Sequence, residues 1–138
     1  MAAIKATNTK PELWLRQRLH RLGYRYTLSN RNLPGKPDIV LPRYKKAIFV
    51  HGCFWHMHNC PLFVLPKSRT EFWADKLSKN VVRDQRVLRE LAASGWGVLY
   101  VWECAIRGRL RLSEATLMKL VTDWLEEGYA NMEITGTY

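Results

Sequence analysis

The chain reads as a helix, three short strands, a long helix, a strand and a last helix, an order that predicts an α/β domain with a mixed central sheet flanked by helices. Three observations carry that expectation. Three stretches place apolar residues at steps of three and four, as helices facing a core do. The run Trp96-Gly97-Val98-Leu99-Tyr100-Val101-Trp102 is rich in aromatic and branched residues, as a central strand is. With 138 residues, 47% of them hydrophobic, the chain is long enough to bury a core as one domain spanning 1–138, and no linker-like stretch divides it.

Thr9-Lys10-Pro11-Glu12 has the spacing of a capping box, and Pro11 falls in a first turn where its missing N–H costs little. A helix should start here, with Leu13, Trp14, Leu15, Leu19 and Leu22 on its apolar face and Gly23 as its stop. Glu12 has an ordinary role available as the partner of Thr9. Tyr24 to Leu28 has strand character, and Ser29 to Lys36 is turn chemistry with a Pro-Gly pair. Pro37 to Leu41 predicts a second strand and Ala47 to Val50 a third, antiparallel to it, so that Asp38 and His51 meet at neighbouring strand ends. After a loop from Pro61 to Ser68, Ser68 or Thr70 can cap a long helix running to Ser94 and closed by Gly95. Its stripe is Trp73, Leu77, Val81, Leu88 and Leu91, and Asp84 falls in the same register. A carboxylate there needs a partner, whether a histidine, an arginine or a metal, because burying it alone costs several kcal/mol. Ser113 should cap the last helix, whose stripe is Leu117, Leu120, Val121, Trp124 and Leu125, and the tail from Gly128 onward has no pattern.

The charge narrows the function. Lys and Arg total 22 against 12 acidic residues, a formal charge of +10, so the expected partner is a polyanion, nucleic acid first of all. No apolar run reaches the roughly 20 residues of a bilayer span, which argues against a membrane role. The N-terminal stretch carries Lys5 and Lys10 with no apolar segment behind them, so a cytoplasmic protein is expected, in which three cysteines serve as metal ligands or core residues before disulfides.

The densest chemistry follows the apolar run Ala47-Ile48-Phe49-Val50, in His51-Gly52-Cys53-Phe54-Trp55-His56-Met57-His58-Asn59-Cys60. Structural zinc takes four N or S ligands, and Cys53, Cys60 and Cys104 with one histidine would satisfy it. Spacing leaves His56 and His58 both open, although the tight His58-x-Cys60 pair favours His58. The other imidazoles sit close to Asp38. A carboxylate with imidazoles beside a polyanion cleft suits metal-assisted phosphodiester hydrolysis, with Mg²⁺ on hard oxygen ligands and an imidazole moving the proton. Phe54, Trp55 and Trp73 are candidate wedges between base pairs, though aromatics beside a metal knot also serve simply as its core. His20, on the first helix, reads as a surface residue.

The motifs Leu33-Pro34-Gly35-Lys36-Pro37-Asp38, Phe49-x-His51-Gly52-Cys53-Phe54-Trp55-His56, Arg69-Thr70-Glu71-Phe72-Trp73, Lys79-Asn80-x-x-Arg83-Asp84 and Val101-Trp102-Glu103-Cys104 resemble the very-short-patch-repair (Vsr) endonucleases, in order from about Thr9 to Trp124. The resemblance implies a restriction-endonuclease-like fold and a Mg²⁺-dependent enzyme that nicks duplex DNA 5′ of the T in T:G mismatches left by 5-methylcytosine deamination. It implies Asp38 and the backbone carbonyl of Val50 as Mg²⁺ ligands, and Glu12, His51, His56 and Asp84 as the surrounding catalytic residues, with Asp84 orienting His56 for proton transfer. Zinc would fall to Cys53, His58, Cys60 and Cys104, and DNA contacts to Phe54, Trp55, Trp73 and Arg69. A monomer acting on nucleoid DNA beside mismatch-repair proteins is the matching expectation. The chain departs from the family pattern at Val50, commonly Thr, at Met57, commonly His, and in an N-terminal arm reduced to Met1–Asn8. The lysine of the wider restriction-enzyme pattern is missing, and His51 stands in that region. The competing readings are a nuclease that cuts both strands of paired DNA and a non-catalytic, zinc-stapled DNA-binding module.

Overall fold

The computed structural model of the protein describes residues 9–28, 33–128 and 131–137. Its elements are α1 (Lys10–Arg21), β1 (Ile39–Leu41), β2 (Lys46–His51), α2 (Thr70–Ala93), β3 (Gly97–Trp102), α3 (Glu103–Ile106), α4 (Glu114–Glu127) and β4 (Met132–Ile134). The strands form one sheet in the order β1-β2-β3-β4, with β1 antiparallel to β2 and the β2/β3 and β3/β4 pairs parallel. This is the expected mixed sheet flanked by helices. A short turn suffices for the antiparallel pair, whereas parallel strands need a long crossover, and the His/Cys loop together with α2 supplies it between β2 and β3.

Side-chain alternation assigns each helix to a face. Ile39, Leu41, Ile48, Leu99, Val101 and Ile134 point to one side and pack with Leu15 and Leu19 of α1 and with Leu117, Val121, Trp124 and Leu125 of α4. Phe49 and Val98 point to the other and pack with Val87 and Leu91 of α2. Both interior strands are therefore covered on both faces, which makes β2 and β3 the stiffest part of the sheet. Lys46 anchors the far end of this layer, its Nζ donating to the Trp124 and Leu125 carbonyls at 2.6 and 2.8 Å, where the exposed carbonyl end of α4 favours a cation. Among the described residues no helix is long and apolar enough to cross a membrane.

Several elements differ from expectation. Tyr24–Leu28 is not a strand: only Thr27 pairs, through an antiparallel bridge to Val40, because the segment touches the sheet at its β1 edge for one residue. Pro37 and Asp38 stay outside β1. Thr9 caps α1 as expected, accepting from the Glu12 N–H at 3.4 Å, but Leu13 and Leu22 are 44% and 55% exposed, and the buried stripe runs Glu12, Leu15, Arg16, Leu19. A paired Glu and Arg occupy core positions that a hydropathy pattern awards to leucines. Neither Ser68 nor Thr70 caps α2. Arg69 stands at the cap in the left-handed region, φ 54°, and the Thr70 hydroxyl donates back to the Pro66 and Lys67 carbonyls instead. Val87 joins Leu77 and Leu91 in the buried stripe of α2, and Met118 takes the place expected of Leu120, which is 39% exposed. The tail forms β4, a strand of three residues, too short to leave a period-2 signature. Of the expected turn, Ser29–Asn32 lie outside the described residues, as does the arm Met1–Asn8.

Gly35 fixes how the strand-entry turn meets α2. Its φ is +74°, and a Cβ there would lie 2.4 Å from Val87 Cγ1. Gly23 has φ +90° but no atom within 4 Å of the added carbon. Gly35→Ala should therefore cost about 2–4 kcal/mol in urea unfolding, from left-handed strain plus overpacking, and Gly23→Ala only about 1–2 kcal/mol. Equal losses in the two variants would refute the turn packing described here.

Candidate active site and metal centre

The site lies at the ends of β2 and β3, which finish in register at His51 and Trp102. Across β2, the Val50 N–H donates to Asp38 Oδ2 at 2.7 Å, so Asp38 is held against the strand end although it lies outside β1. Glu12 reaches the same place from α1. It is 2% exposed and bound by Arg16, whose Nη2 is 3.0 Å from Glu12 Oε2. Burial pushes the Asp38 carboxyl up to about 7, the neighbouring Glu12 charge adds to the rise, and the Val50 N–H and the Arg16 guanidinium oppose it. Two carboxylates sharing one buried arginine leave a deficit of positive charge, which is the electrostatic setting for a cation.

Beside them stand the imidazoles. His51 and His56 stack with centroids 3.7 Å apart and planes 2° from parallel, and His56 Nδ1 pairs with Asp84 Oδ2 at 2.5 Å. Asp84 thus has the partner its helical register demanded. Burial and the nearby His56 and His58 hold His51 well below the ordinary imidazole value, so it stays neutral near pH 7. Ligand atoms of His51, His56 and Asp84 lie within 4.8 Å of one another, a spacing compatible with a metal ion. The stacking weighs against one shared ion, because parallel rings aim their in-plane lone pairs side by side and not towards a common point. The arrangement suits two imidazoles that act on different atoms of a substrate, one of them oriented by a carboxylate as general acid–base groups are.

The second group is the metal knot. Ligand atoms of Cys53, His58, Cys60 and Cys104 all lie within 4.8 Å of one another, and His58 Nδ1 is 3.7 Å from Cys104 Sγ. Three sulfurs and one imidazole at this spacing could hold a metal ion such as zinc. The surroundings fit a bound thiolate set. The Gly136 N–H donates to Cys104 Sγ at 3.2 Å, the Cys104 backbone N–H serves Cys53, and His58 lies flat on Trp102 at 4.0 Å. Without a cation, burial pushes both the Cys53 and Cys104 thiols up. Glu103 ties knot to strand, its Oε1 accepting from the Cys53 N–H at 3.3 Å.

The knot also carries an aromatic group on its outer side. Phe54, Trp55 and Trp73 meet at centroid distances of 5.1, 5.7 and 6.0 Å, and all three are only partly buried. Asn80 of α2 fixes the loop from below by donating to the Trp55 carbonyl at 3.0 Å. Lys76 Nζ stands 5.8 and 5.7 Å from the Trp55 and Trp73 rings, and Arg69 lies 4.4 Å over Phe72.

All the expected site residues come together at one end of the sheet except that Arg69 sits out at the start of α2, beyond the aromatics, and Val50 approaches Asp38 through its N–H. His20 is exposed on α1, away from the site, as expected. Arg16, Tyr100, Glu103 and Gly136 escaped the sequence reading. Arg16 lies four residues after Glu12, a spacing that could have flagged the pair, whereas Gly136 becomes visible only once β4 is seen beside the knot.

An α/β sheet that carries a buried carboxylate pair, a histidine paired with Asp84 and a basic, aromatic surface suits an enzyme acting on nucleic acid, and similarity to known proteins gives the class. Residues 1–62 match the family profile described as DNA mismatch endonuclease Vsr. The chain is 45% identical over 125 residues to the DNA mismatch endonuclease Vsr of Escherichia coli K12, covering 91% of this chain and 80% of that protein. It is 47% identical over 117 residues to the type II nicking enzyme V.XorIIP of Xanthomonas oryzae pv. oryzae, covering 80% and 86%. Against the type II nicking enzyme V.NmeAIP of Neisseria meningitidis serogroup A it is 43% identical over 109 residues, covering 79% and 78%. The chain belongs to the Vsr family of DNA endonucleases.

The carboxylate pair has a measurable consequence. A folded-state value for Asp38 near 7, against about 4 unfolded, means that its protonated form stabilises the fold below about pH 4, and that this contribution is lost as pH rises towards 7. With no divalent cation added, the melting temperature of Asp38→Asn should fall less than that of the parent between pH 4 and 7 and exceed it above pH 7. Parallel profiles would show that Asp38 is not under this strain.

Proposed function

We propose that this chain is a Mg²⁺-dependent enzyme which nicks one strand of duplex DNA 5′ of the T in T:G mismatches, the lesion left by 5-methylcytosine deamination, and so initiates very short patch repair. The observation that carries the reading is the His56–Asp84 pair, stacked on His51 one residue beyond the point where Asp38 meets β2. The family membership supports it. Asp38, with the Val50 carbonyl, would hold Mg²⁺. An extended strand turns the N–H and C=O of one residue to the same side, and the Val50 N–H already faces Asp38. Glu12, kept in place by Arg16, would be the accompanying carboxylate. Bound Mg²⁺ would supply charge neutralisation at the scissile phosphate and a more acidic water. His56 moves the proton, Asp84 orients its ring, and His51, neutral and buried, shapes the other side of the pocket.

Zinc at Cys53, His58, Cys60 and Cys104 would have a structural role, since four protein ligands leave no open position. Phe54, Trp55 and Trp73 would insert at the mismatch, where bases are more easily unstacked, and Arg69 would contact the backbone. The fold is then restriction-endonuclease-like, one domain over residues 1–138, acting as a cytoplasmic monomer on nucleoid DNA alongside mismatch-repair proteins.

The test compares a duplex carrying one T:G mismatch in a methylation-site context with its T:A counterpart. A Mg²⁺-dependent nick in the first alone is expected, and equal cutting of both, or double-strand breaks in paired DNA, would favour a restriction-type enzyme. His56→Ala should lower the nicking rate by about 10²–10⁴-fold while keeping DNA affinity within about twofold. Trp55→Ala should weaken mismatch binding by about 1–3 kcal/mol and leave the folded state intact. Elemental analysis should find about one zinc per chain, and Cys60→Ala should lose the metal and the cooperative melt together.

A further inference from the structure

His51 lacks the usual means of fixing an imidazole. Most functional histidines have ring orientation set by a hydrogen bond at one nitrogen, but His51 Nδ1 is buried without a hydrogen-bond partner among the described residues. Its ring is held by contact instead. His56 stacks on it at 3.7 Å and Tyr100 at 4.7 Å with planes 30° apart, while Trp102 meets its edge at 5.1 Å. Since His56 and Tyr100 make no ring contact with each other among the described residues, His51 is the middle ring of three.

Tyr100 is well suited to act as the fixed wall. It lies on β3 opposite Phe49, one of the two interior strands, and on the α2 face of the sheet. Phe49 touches its ring at 5.6 Å, and the buried cluster of Phe49, Val87, Leu91 and Val98 backs it. A rigid chain of contacts therefore runs from the core through Tyr100 to His51, then to His56 and Asp84. We propose that Tyr100 is a positioning residue for the reaction, whose aromatic face sets the plane of His51 and, through the stack, of His56. It acts by its ring face, so a phenyl group should serve equally well.

This inference rests on the proposed catalytic role of the two histidines, and the experiment separates the two. Tyr100→Phe and Tyr100→Leu are compared with the parent by single-turnover nicking of the T:G duplex, by DNA affinity and by NMR of the histidine side chains. Tyr100→Leu should nick about tenfold more slowly with affinity unchanged within about twofold, because small misplacements of reacting groups cost rate and not binding. Tyr100→Phe should nick at the parent rate. The His51 ring signals should move in Tyr100→Leu and stay in place in Tyr100→Phe. Parent-like nicking by Tyr100→Leu, or equal failure of both variants, overturns the assignment. If the parent itself does not nick, the catalytic reading fails, and unmoved His51 signals in Tyr100→Leu would still overturn the proposed wall. Should the leucine variant not melt cooperatively, Tyr100→Ile takes its place, being shaped for a strand.

Discussion

The parallel pairing of β2 with β3 is the constraint on which the site depends. It brings His51 and Trp102 level, and from those two residues the chain leaves the sheet in two directions. One branch is the loop that carries Cys53, His56, His58 and Cys60, and the other is α3, which carries Glu103 and Cys104. Because both strands are covered on each face, their ends are fixed by the core, and the loop inherits that fixity through the Glu103 bond to the Cys53 N–H and through four side chains placed so that they could hold a metal ion. His56, placed between Cys53 and His58 of that cluster, has little freedom. Asp84 then removes what remains from the other side, at a position where α2 turns inward.

Polar groups inside this layer are handled by pairing and not by exposure. Glu12 and Arg16 occupy helix positions that leucines would fill, and their pairing through Arg16 Nη2 and Glu12 Oε2 brings charge of both signs to Asp38. Among these charged groups the Asp38 carboxyl is pushed up by burial and by a like charge, while burial holds the nearby His51 imidazole well below its ordinary value. Perturbed groups gathered at one end of a sheet are the pattern expected of a functional site. The aromatic rings perform the complementary task, Tyr100 lying against His51 and Trp102 lying flat on His58.

Much of this was legible in the residues because its signals are local. The His/Cys segment announces coordination chemistry within ten positions, and Asp84 stands out as a carboxylate on an apolar stripe. The ends of β1 and β2 could be placed together from a short turn and two strands alone. What escaped was set by tertiary partners. Leu13 and Leu22 of α1 look like core but face outward, because the sheet is met by the Glu12/Arg16 face. Tyr24 to Leu28 has strand composition, yet it finds one pairing residue. Met132 to Ile134 has no alternation to detect, and it becomes a strand because the edge of β3 is available to it. Tyr100 looked like one more aromatic in a strand, and only the ring geometry singles it out.

The hydrogen bond from Gly136 to Cys104 has a consequence for chain topology. His58 and Cys104 are 46 residues apart, and Gly136 follows Cys104 by 32 more, so the knot gathers three distant stretches of chain at one point. A carbon added at Gly136 would come within 2.5 Å of the Cys104 carbonyl, which leaves no room for a looser fit. An ion held there closes loops that span the crossover helix and an interior strand. Closing such loops costs chain entropy, and an ion bound to all four side chains would offset that cost with its binding energy. A metal ion at this cluster would thus fasten the order in which the sheet is threaded, and the loop that carries Phe54, Trp55 and His56 is one of the segments it would fasten.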